Sequence, residues 1–375
     1  MQGGGAIDRG LRLFDLESRN IEAGQAWAAS RAEEDFVAAE LCIGYAVGGS
    51  QVLSLRMRPP GRIRWLENAL VAALHFQMRA HEGVLLNQIG VAYSDMGEAR
   101  QAAEYHERAL AIAREIGDRR AEGSALGNLG VAYSDLGETR RAITLYEQQI
   151  AIAREIGNRR VEGFALGNIG VAYASLGEVS RAIEYHEQHL NIAREIGDRR
   201  SEGAALGSLG NAYAALGETR RAIDLFERRI AIAREIGDRY GESINLGNLG
   251  LAFAALDEWQ RAIAIYEQQL TIVQDIGDRY SESNALGNLG IAYRNMGQAQ
   301  RAFEFYERQL AIVRDTGNLR GQGAVLFNMS LALEQMGKRE TAIVRAQEAL
   351  KIFRQLESPY LEGVEKQLKV WRKQP

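Results

Sequence analysis

Apolar residues return at three- and four-residue steps along most of this chain, in blocks closed by glycine. Between Arg119 and Leu136, the residues Leu126, Leu129, Ala132, Tyr133 and Leu136 share one face of a helix. Gly117 suits the left-handed position past a preceding helix, and Asp118 is placed to cap the next one with its side-chain oxygen. Gly137 ends that helix. A second helix is expected from Glu138 to Ile156, with Ala142, Ile143, Tyr146, Ile150, Ile152 and Ala153 inward. Two helices joined by a tight glycine turn make an antiparallel hairpin.

The hairpin is repeated. Residues 121–160 align with 161–200 at 26 of 40 positions, and the same 40-residue block can be laid down without a gap seven times from His81 to Tyr360. A fixed period of this length marks a solenoid, in which each unit buries its apolar face only by stacking on its neighbours. Some columns do not vary. Alanine fills every equivalent of Ala132 (Ala92 through Ala332) and of Ala142 (Ala102 through Ala342), and isoleucine every equivalent of Ile152 (Ile112 through Ile352). Gly130 recurs until Ser330 replaces it. Small residues in such columns let helices approach closely, and a bulkier one would overpack the contact by about 1–3 kcal/mol.

Asn128-Leu129-Gly130, Ala132-Tyr133, Gly137, Ala142 and Tyr146 match the tetratricopeptide repeat (TPR) pattern in identity and spacing. The 40-residue period, with a long first helix, resembles the variant in Pins/LGN-type polarity adaptors and kinesin light chains. The resemblance implies an all-α, right-handed superhelical solenoid of helix hairpins. One column departs from the pattern. The small residue expected late in the second helix is Gln149, with Gln, His or Arg in neighbouring repeats, and alanine remains only at Ala109 and Ala349.

The ends differ. Residues 1–10 read as a flexible N-terminus and 11–80 as an irregular helical region. Within it, one helix is expected from Leu11 to Ala29, anchored by Leu11, Phe14, Leu16, Ile21 and Trp27, and another from Phe36 to Val47. Pro59-Pro60 marks a break, and Arg62 to Phe76 reads as the second helix of a degenerate repeat, in which Trp65, Glu67, Ala69 and Leu70 align with Tyr105, Glu107, Ala109 and Leu110. Residues 81–356 hold the seven repeats, and residues 357–375 a capping helix, Tyr360 to Trp371, begun by Ser358-Pro359. The segment Leu13 to Trp27 is similar to the opening of the helical sensor region of bacterial STAND-type signalling ATPases, and the C-terminal helix to the ending of bacterial TPR proteins of that group. No G-x-x-x-x-G-K-[ST] loop accompanies these segments.

Composition narrows the function. A formal charge of -4 points to neither nucleic acid nor an acidic membrane surface. The single cysteine, Cys42, allows no internal disulfide and reads as a buried small hydrophobe. The opening Met1-Gln2-Gly3-Gly4-Gly5 lacks the basic start and apolar stretch of a signal peptide, and no apolar run is long enough to span a bilayer, so the expected location is the cytoplasm. His186 and His189 stand at a spacing that suits a metal, but His186 occupies the column of Tyr146, Phe226, Tyr266 and Tyr306, and packing in an aromatic slot is the better reading. Glu122 and Glu147 recur once per repeat, as expected of helix-end electrostatics and ion pairs with arginine. No catalytic constellation, cofactor or metal site is expected.

In TPR proteins the first helices line the concave surface, and the resemblance carries that here. Helical geometry then selects Arg120, Ser124, Gly127, Asn128, Val131, Ser134 and Asp135 as a stripe beside the core face. Its varying columns supply candidate contacts for an extended peptide: Arg120, Arg160 and Arg200, giving way to Tyr240 and Tyr280; Asn128, Asn168, Asn248, Asn288 and Asn328; Val131, Val171 and Asn211; and Arg294. An asparagine amide both donates and accepts, so it satisfies peptide backbone whatever the side chains, or else bonds to the neighbouring repeat. Arginine forks suit carboxylates. The glycine column Gly127, Gly167, Gly207, Gly247 and Gly287, which costs about 1 kcal/mol per residue relative to alanine, either opens the groove floor or packs adjacent first helices. The expected function is a non-enzymatic scaffold binding an extended, acidic segment of a protein partner. The alternative is the ligand-sensing arm of a STAND-type ATPase, with a signalling NTPase in cis or in trans as its partner.

Overall fold

A computed structural model describes residues 2–48 and 50–373 of the protein; Met1 of the expected N-terminal segment and the last two residues of the expected cap lie outside these. Among the described residues every regular element is a helix. The protein divides into two compact units, residues 1–196 and 197–375.

The first unit opens with four helices: α1 (Gln2–Arg31), α2 (Phe36–Gly48), α3 (Ser50–Arg56) and α4 (Pro59–His75). Three hairpins follow. They pair α5 (Arg79–Ser94) with α6 (Ala99–Ile116), α7 (Arg119–Asp135) with α8 (Thr139–Glu155), and α9 (Arg159–Ser175) with α10 (Val179–Glu195). From α5 through α10 each helix packs on its predecessor, and α5 also touches α7. The second unit holds four hairpins: α11 (Arg199–Ala215) with α12 (Thr219–Ile236), α13 (Arg239–Ala255) with α14 (Trp259–Asp275), α15 (Arg279–Asn295) with α16 (Ala299–Asp315), and α17 (Leu319–Gln335) with α18 (Arg339–Gln355). Helix α19 (Leu361–Lys373) packs on α18 and buries Val364, Leu368 and Trp371.

The helix boundaries follow from local chemistry. Gly117 and Gly137 adopt left-handed backbone at φ 71° and 79°, as expected of residues just past a helix end. The Asp118 side chain accepts from the Ala121 N–H at 2.9 Å, and Asn158, Asp198, Asp238, Asp278 and Asn318 repeat the cap. Pro59 and Pro60 lie within the first turn of α4, where a missing N–H costs nothing, so that helix starts ahead of the expected Arg62.

The invariant columns form the core. Ala132, Ala142 and Ile152 are buried, as are Leu126, Leu129, Tyr133, Tyr146 and Ile150, whereas Leu136 sits at the C-cap of α7 and is partly exposed. Gly130 meets the ring of Tyr146 across the hairpin. The same contact joins Gly90 to His106, Gly170 to His186, Gly210 to Phe226, Gly250 to Tyr266 and Gly290 to Tyr306. A Cβ at Gly90 would lie 2.6 Å from the His106 ring, so only glycine admits the ring there. Buried His186 therefore fills the aromatic slot, and no metal-holding cluster of His, Cys, Asp or Glu exists among the described residues. Cys42 is fully buried.

A second system links successive hairpins. Buried Glu122 accepts from Arg114 Nε of α6 at 2.9 Å and from Arg119 Nη1 of α7 at 2.5 Å, while Arg119 also pairs with Glu155 of α8. Glu162 repeats the arrangement with Arg154 at 2.7 Å and with Arg159, which reaches Glu195. In the second unit Glu242 is held by Arg234 at 2.6 Å and Arg239 at 2.9 Å. The ladder changes at α17, where Leu319 stands for the arginine and Gln322 for the glutamate. Glu147 is exposed, so of the two recurring glutamates only the Glu122 column is buried among arginines.

The N-terminal helix keeps three of its five expected anchors, Leu11, Phe14 and Ile21, half-buried. It is helical from Gln2, since extending a formed helix adds one hydrogen bond per residue. Leu16 and Trp27, read as anchors, are 80% and 46% exposed. Fully buried are Gln25 and Ala28 on α1 and Ala32 just past its end, the alanines small enough for close helix contact. Gly24 lies under Tyr45.

This packing has two measurable consequences. Glu162→Gln removes the charge that both Arg154 and Arg159 face. Because those arginines are half exposed, the loss is about 1–2 kcal/mol rather than the larger cost of a fully buried pair; urea unfolding of the variant measures it. Burial lowers the pKa of His106 and of His186 from 6.5 to about 4. Between those values the unfolded protein binds protons that the folded protein does not. Stability is then full near neutrality and falls as pH drops from 6.5 toward 4, by up to about 3 kcal/mol for each histidine. The double variant His106→Phe, His186→Tyr is expected to lose less stability across that window in urea titrations, while keeping the decline below it that carboxylates cause.

Candidate binding face

The stripe selected by helical geometry lies on the solvent side of the first helix of each hairpin. On α7, Arg120, Ser124, Val131 and Asp135 are exposed, Asn128 and Ser134 are half-buried, and Gly127 is buried. In the first unit Arg160 and Val171 of α9 are exposed beside half-buried Asn168. In the second unit Arg200 and Asn211 of α11, Tyr240 of α13 and Tyr280 of α15 are exposed, with Tyr280 at 73%. Asn248, Asn288 and Asn328 are half-buried. Arg294 differs from the other candidate arginines. It is half-buried, and its Nη1 atom is shut off from solvent without a hydrogen-bond partner.

The asparagine column divides between its two readings. Asn128 Nδ2 donates to Asn87 Oδ1 of α5 at 3.1 Å, and Asn248 Nδ2 donates to Asn211 Oδ1 of α11 at 3.1 Å. Those two amide donors are spent between neighbouring hairpins. Asn168, Asn288 and Asn328 have no side-chain partner among the described residues, and their amides are available to a ligand.

At Gly207 the nearest side chain is Asn245 of α13, the adjacent first helix, as one expected reading has it; the other four glycines of the column have a different cause. Gly127 lies against the side chain of Gln149 from the second helix of the same hairpin. Gly167 faces His189, Gly247 faces Gln269 and Gly287 faces Gln309; a Cβ at Gly167 would come within 2.8 Å of His189 Nδ1, and one at Gly247 within 2.7 Å of Gln269 Nε2. The long polar side chains that break the expected small column are thus accommodated by glycines on the partner helix. Ala109 and Ala349, the two alanines kept in that column, stand in hairpins where the glycine is replaced by Asn87 and Phe327. Large opposes small in every hairpin.

The face carries more apolar surface than the arginine and asparagine columns imply. In the first unit Val84, Val91, Val131, Phe164 and Val171 are exposed on α5, α7 and α9. In the second, Tyr240, Ile244 and Leu251 on α13 and Tyr280 on α15 are exposed. Phe164, Val84 and Ile244 were missed because the Ser124 column was read from one serine. Followed through the repeats it runs Val84, Ser124, Phe164, Ala204, Ile244, Asn284, Ala324, and the signal is plain. Exposed aromatic and aliphatic residues grouped on one face mark an interaction surface more often than scattered ones do.

A family profile described as tetratricopeptide repeat matches residues 81–155, 162–235, 241–315 and 281–355. No curated protein sequence matches this one. Among solved structures, a signal transduction ATPase with numerous domains (STAND) with a tetratricopeptide repeat sensor, from Pyrococcus horikoshii, aligns at a TM-score of 0.69 and 17% identity; the match covers 95% of this protein and 54% of that one. The apo quorum sensor NprR from B. thuringiensis aligns at 0.63 and 16% identity, over 93% of this protein and 98% of that one. BtubC from P. vanneervenii aligns at 0.53 and 19% identity, over 58% and 92%. At such identities the likeness is one of fold. No helix among the described residues is long and apolar enough to cross a membrane. The repeat profile covers well over half of the sequence, and the protein belongs to the tetratricopeptide repeat family.

Proposed function

We propose that the protein is a non-enzymatic interaction scaffold that holds an extended, acidic segment of a protein partner along its first-helix face. The observation that carries this reading is the mixed stripe of arginine and apolar side chains on that face: Arg120 and Arg160 beside Val131, Phe164 and Val171, and Arg200 in the same column as Tyr240 and Tyr280. Guanidinium groups recognise carboxylates with forked geometry. The apolar residues supply desolvated contact area, which carries most of the affinity in small interfaces. The asparagines that bond to no neighbour, Asn168, Asn288 and Asn328, satisfy peptide backbone groups. A repeated surface built this way reads an extended peptide along its length rather than transforming a small molecule.

Screening of random dodecapeptides, half of them fixed with alternate aspartate or glutamate, tests the reading. The acidic set is expected to bind more tightly, and Arg120→Gln, Arg160→Gln, Arg200→Gln combined is expected to reduce both its affinity and the salt dependence of binding. Phe164→Ser is expected to weaken binding with the salt dependence unchanged. Equal binding by wild type and the triple variant would falsify the assignment of this face.

The fold likeness to the STAND protein with its repeat sensor supports a second reading, in which the same face serves a regulatory arm. That reading is compatible with the first, since an arm of this kind also needs a ligand face. Its own test is the ATPase rate of an NTPase module encoded in the same or the adjacent gene, with and without this protein. A rate unaffected by its addition removes the reading.

A further inference from the structure

Outside the repeats, the first unit holds a cavity of about 530 Å³ between α1, α2 and α3. Its walls are mostly apolar: Leu13, Phe14 and Ile21 of α1, the Tyr45 ring of α2, and Val52 and Leu53 of α3. The walls are tied to one another. Arg56 at the end of α3 donates to both carboxylate oxygens of Asp15 on α1, at 2.7 and 2.8 Å. The Tyr45 side chain crosses from α2 to Gly24 of α1.

Gly44 sets this space apart from loose packing. In the repeats, each glycine inside a helix lies against another side chain. Gly44 stands inside α2 and lines the cavity, yet a Cβ there would meet nothing within 4 Å. Glycine in a helix interior weakens the helix, and no close contact explains this one. What its missing side chain leaves is open volume.

One charge faces that volume. Glu17 is the sole charged residue in the described lining, and it is exposed, which puts its carboxylate at the rim. Glu17 Oε2 accepts from Asn20 Nδ2 at 2.6 Å, one turn along α1, and that bond orients the group. Glu17 Oε1 has no partner among the described residues. Asp15, by contrast, is matched by Arg56. An apolar space of this size with a few placed polar groups is typical of small-molecule sites, which run from about 300 to 1,000 Å³.

We infer that this cavity is a small-molecule site for an amphipathic amine: a compact apolar body seated against Phe14, Ile21 and Leu53, with its ammonium on Glu17. Charge selects the class. An anionic amphiphile of the same size meets the Glu17 carboxylate unfavourably, and a neutral one leaves that charge unmatched. The site lies on helices that have no copy in the repeats, and it stands whether or not the first-helix face binds a peptide.

Protein labelled at leucine, valine and isoleucine methyls is titrated with phenethylamine, phenethyl alcohol and phenylacetate, three probes with one ring and different head groups. The amine is expected to shift the Ile21, Val52 and Leu53 methyl resonances saturably. Its affinity is expected to exceed the alcohol's by about three- to fivefold, the range an exposed ion pair supplies, with the acid weakest. Glu17→Gln is expected to lower the amine to the alcohol's affinity and to leave the alcohol unchanged. Gly44→Leu places a branched side chain in open volume with no clash at Cβ. It is expected to keep the helical circular dichroism and thermal unfolding of the wild type and to abolish the shifts by all three probes. Sedimentation velocity at the same protein concentrations checks the competing occupant, a second copy of the protein. Self-association that Gly44→Leu removes assigns the cavity to that copy and overturns the amine site. No saturable shift with the amine, alcohol or acid binding as tightly as the amine, or amine binding indifferent to both variants overturns it equally.

Discussion

A ring laid against a glycine sets the distance between the two helices of a hairpin, and much else follows from that contact. Tyr146 lies on Gly130, His106 on Gly90, Tyr266 on Gly250 and Tyr306 on Gly290. Each ring takes the space a Cβ would need, so the first helix gives up side-chain volume and helix propensity, and the second gains a large buried surface. The alanines at Ala132 and Ala142 are then fully buried because nothing wider fits between helices held this close. Histidine is tolerated in the slot because burial strips it of its charge at neutral pH, which turns it into a flat apolar ring with one proton to donate.

The same exchange of volume across the hairpin operates a second time, one turn away. Gln149, His189, Gln269 and Gln309 occupy space left by Gly127, Gly167, Gly247 and Gly287. Because the two columns trade volume in each hairpin, neither is interpretable alone. Alanine at Ala109 looks like plain retention of the family pattern until Asn87 is seen opposite it. That pair puts the larger, polar member on the first helix, α5, and the small one on α6, so a packing rule becomes a difference in chemistry between one hairpin and the next.

Linkage between hairpins is electrostatic as well as apolar. Glu122, Glu162 and Glu242 are each buried and each face two arginines, one from the preceding hairpin and one from their own. A buried carboxylate without such partners would be strongly unfavourable. The pairing therefore specifies which helix follows which more than it adds to stability, and it uses the arginines at the hairpin junctions. The Arg120 column, one residue further on, stands in the first turn of the first helices, and Arg120, Arg160 and Arg200 are exposed. Arginines a single residue apart, such as Arg119 and Arg120, thus differ in role by about 100° of helical rotation.

The repeat period, the hairpins, the glycine turns, the Asp118-type caps and the buried columns were all legible in the sequence, because in a solenoid almost every contact is local or one repeat away. The same periodicity placed Arg120, Val131 and Tyr280 on the exposed face. It misled at two positions of α1, where no internal copy exists for comparison: Leu16 and Trp27 are exposed, whereas Leu11, Phe14 and Ile21 are half-buried. Tertiary structure alone decided which asparagine amides bond to a neighbour, that Arg294 is partly withdrawn, and that glycines receive glutamine side chains. These depend on side-chain volumes and hydrogen-bond directions matched across helices. A pattern along one helix fixes which way a residue points, but what it meets there is set by the helix that packs against it.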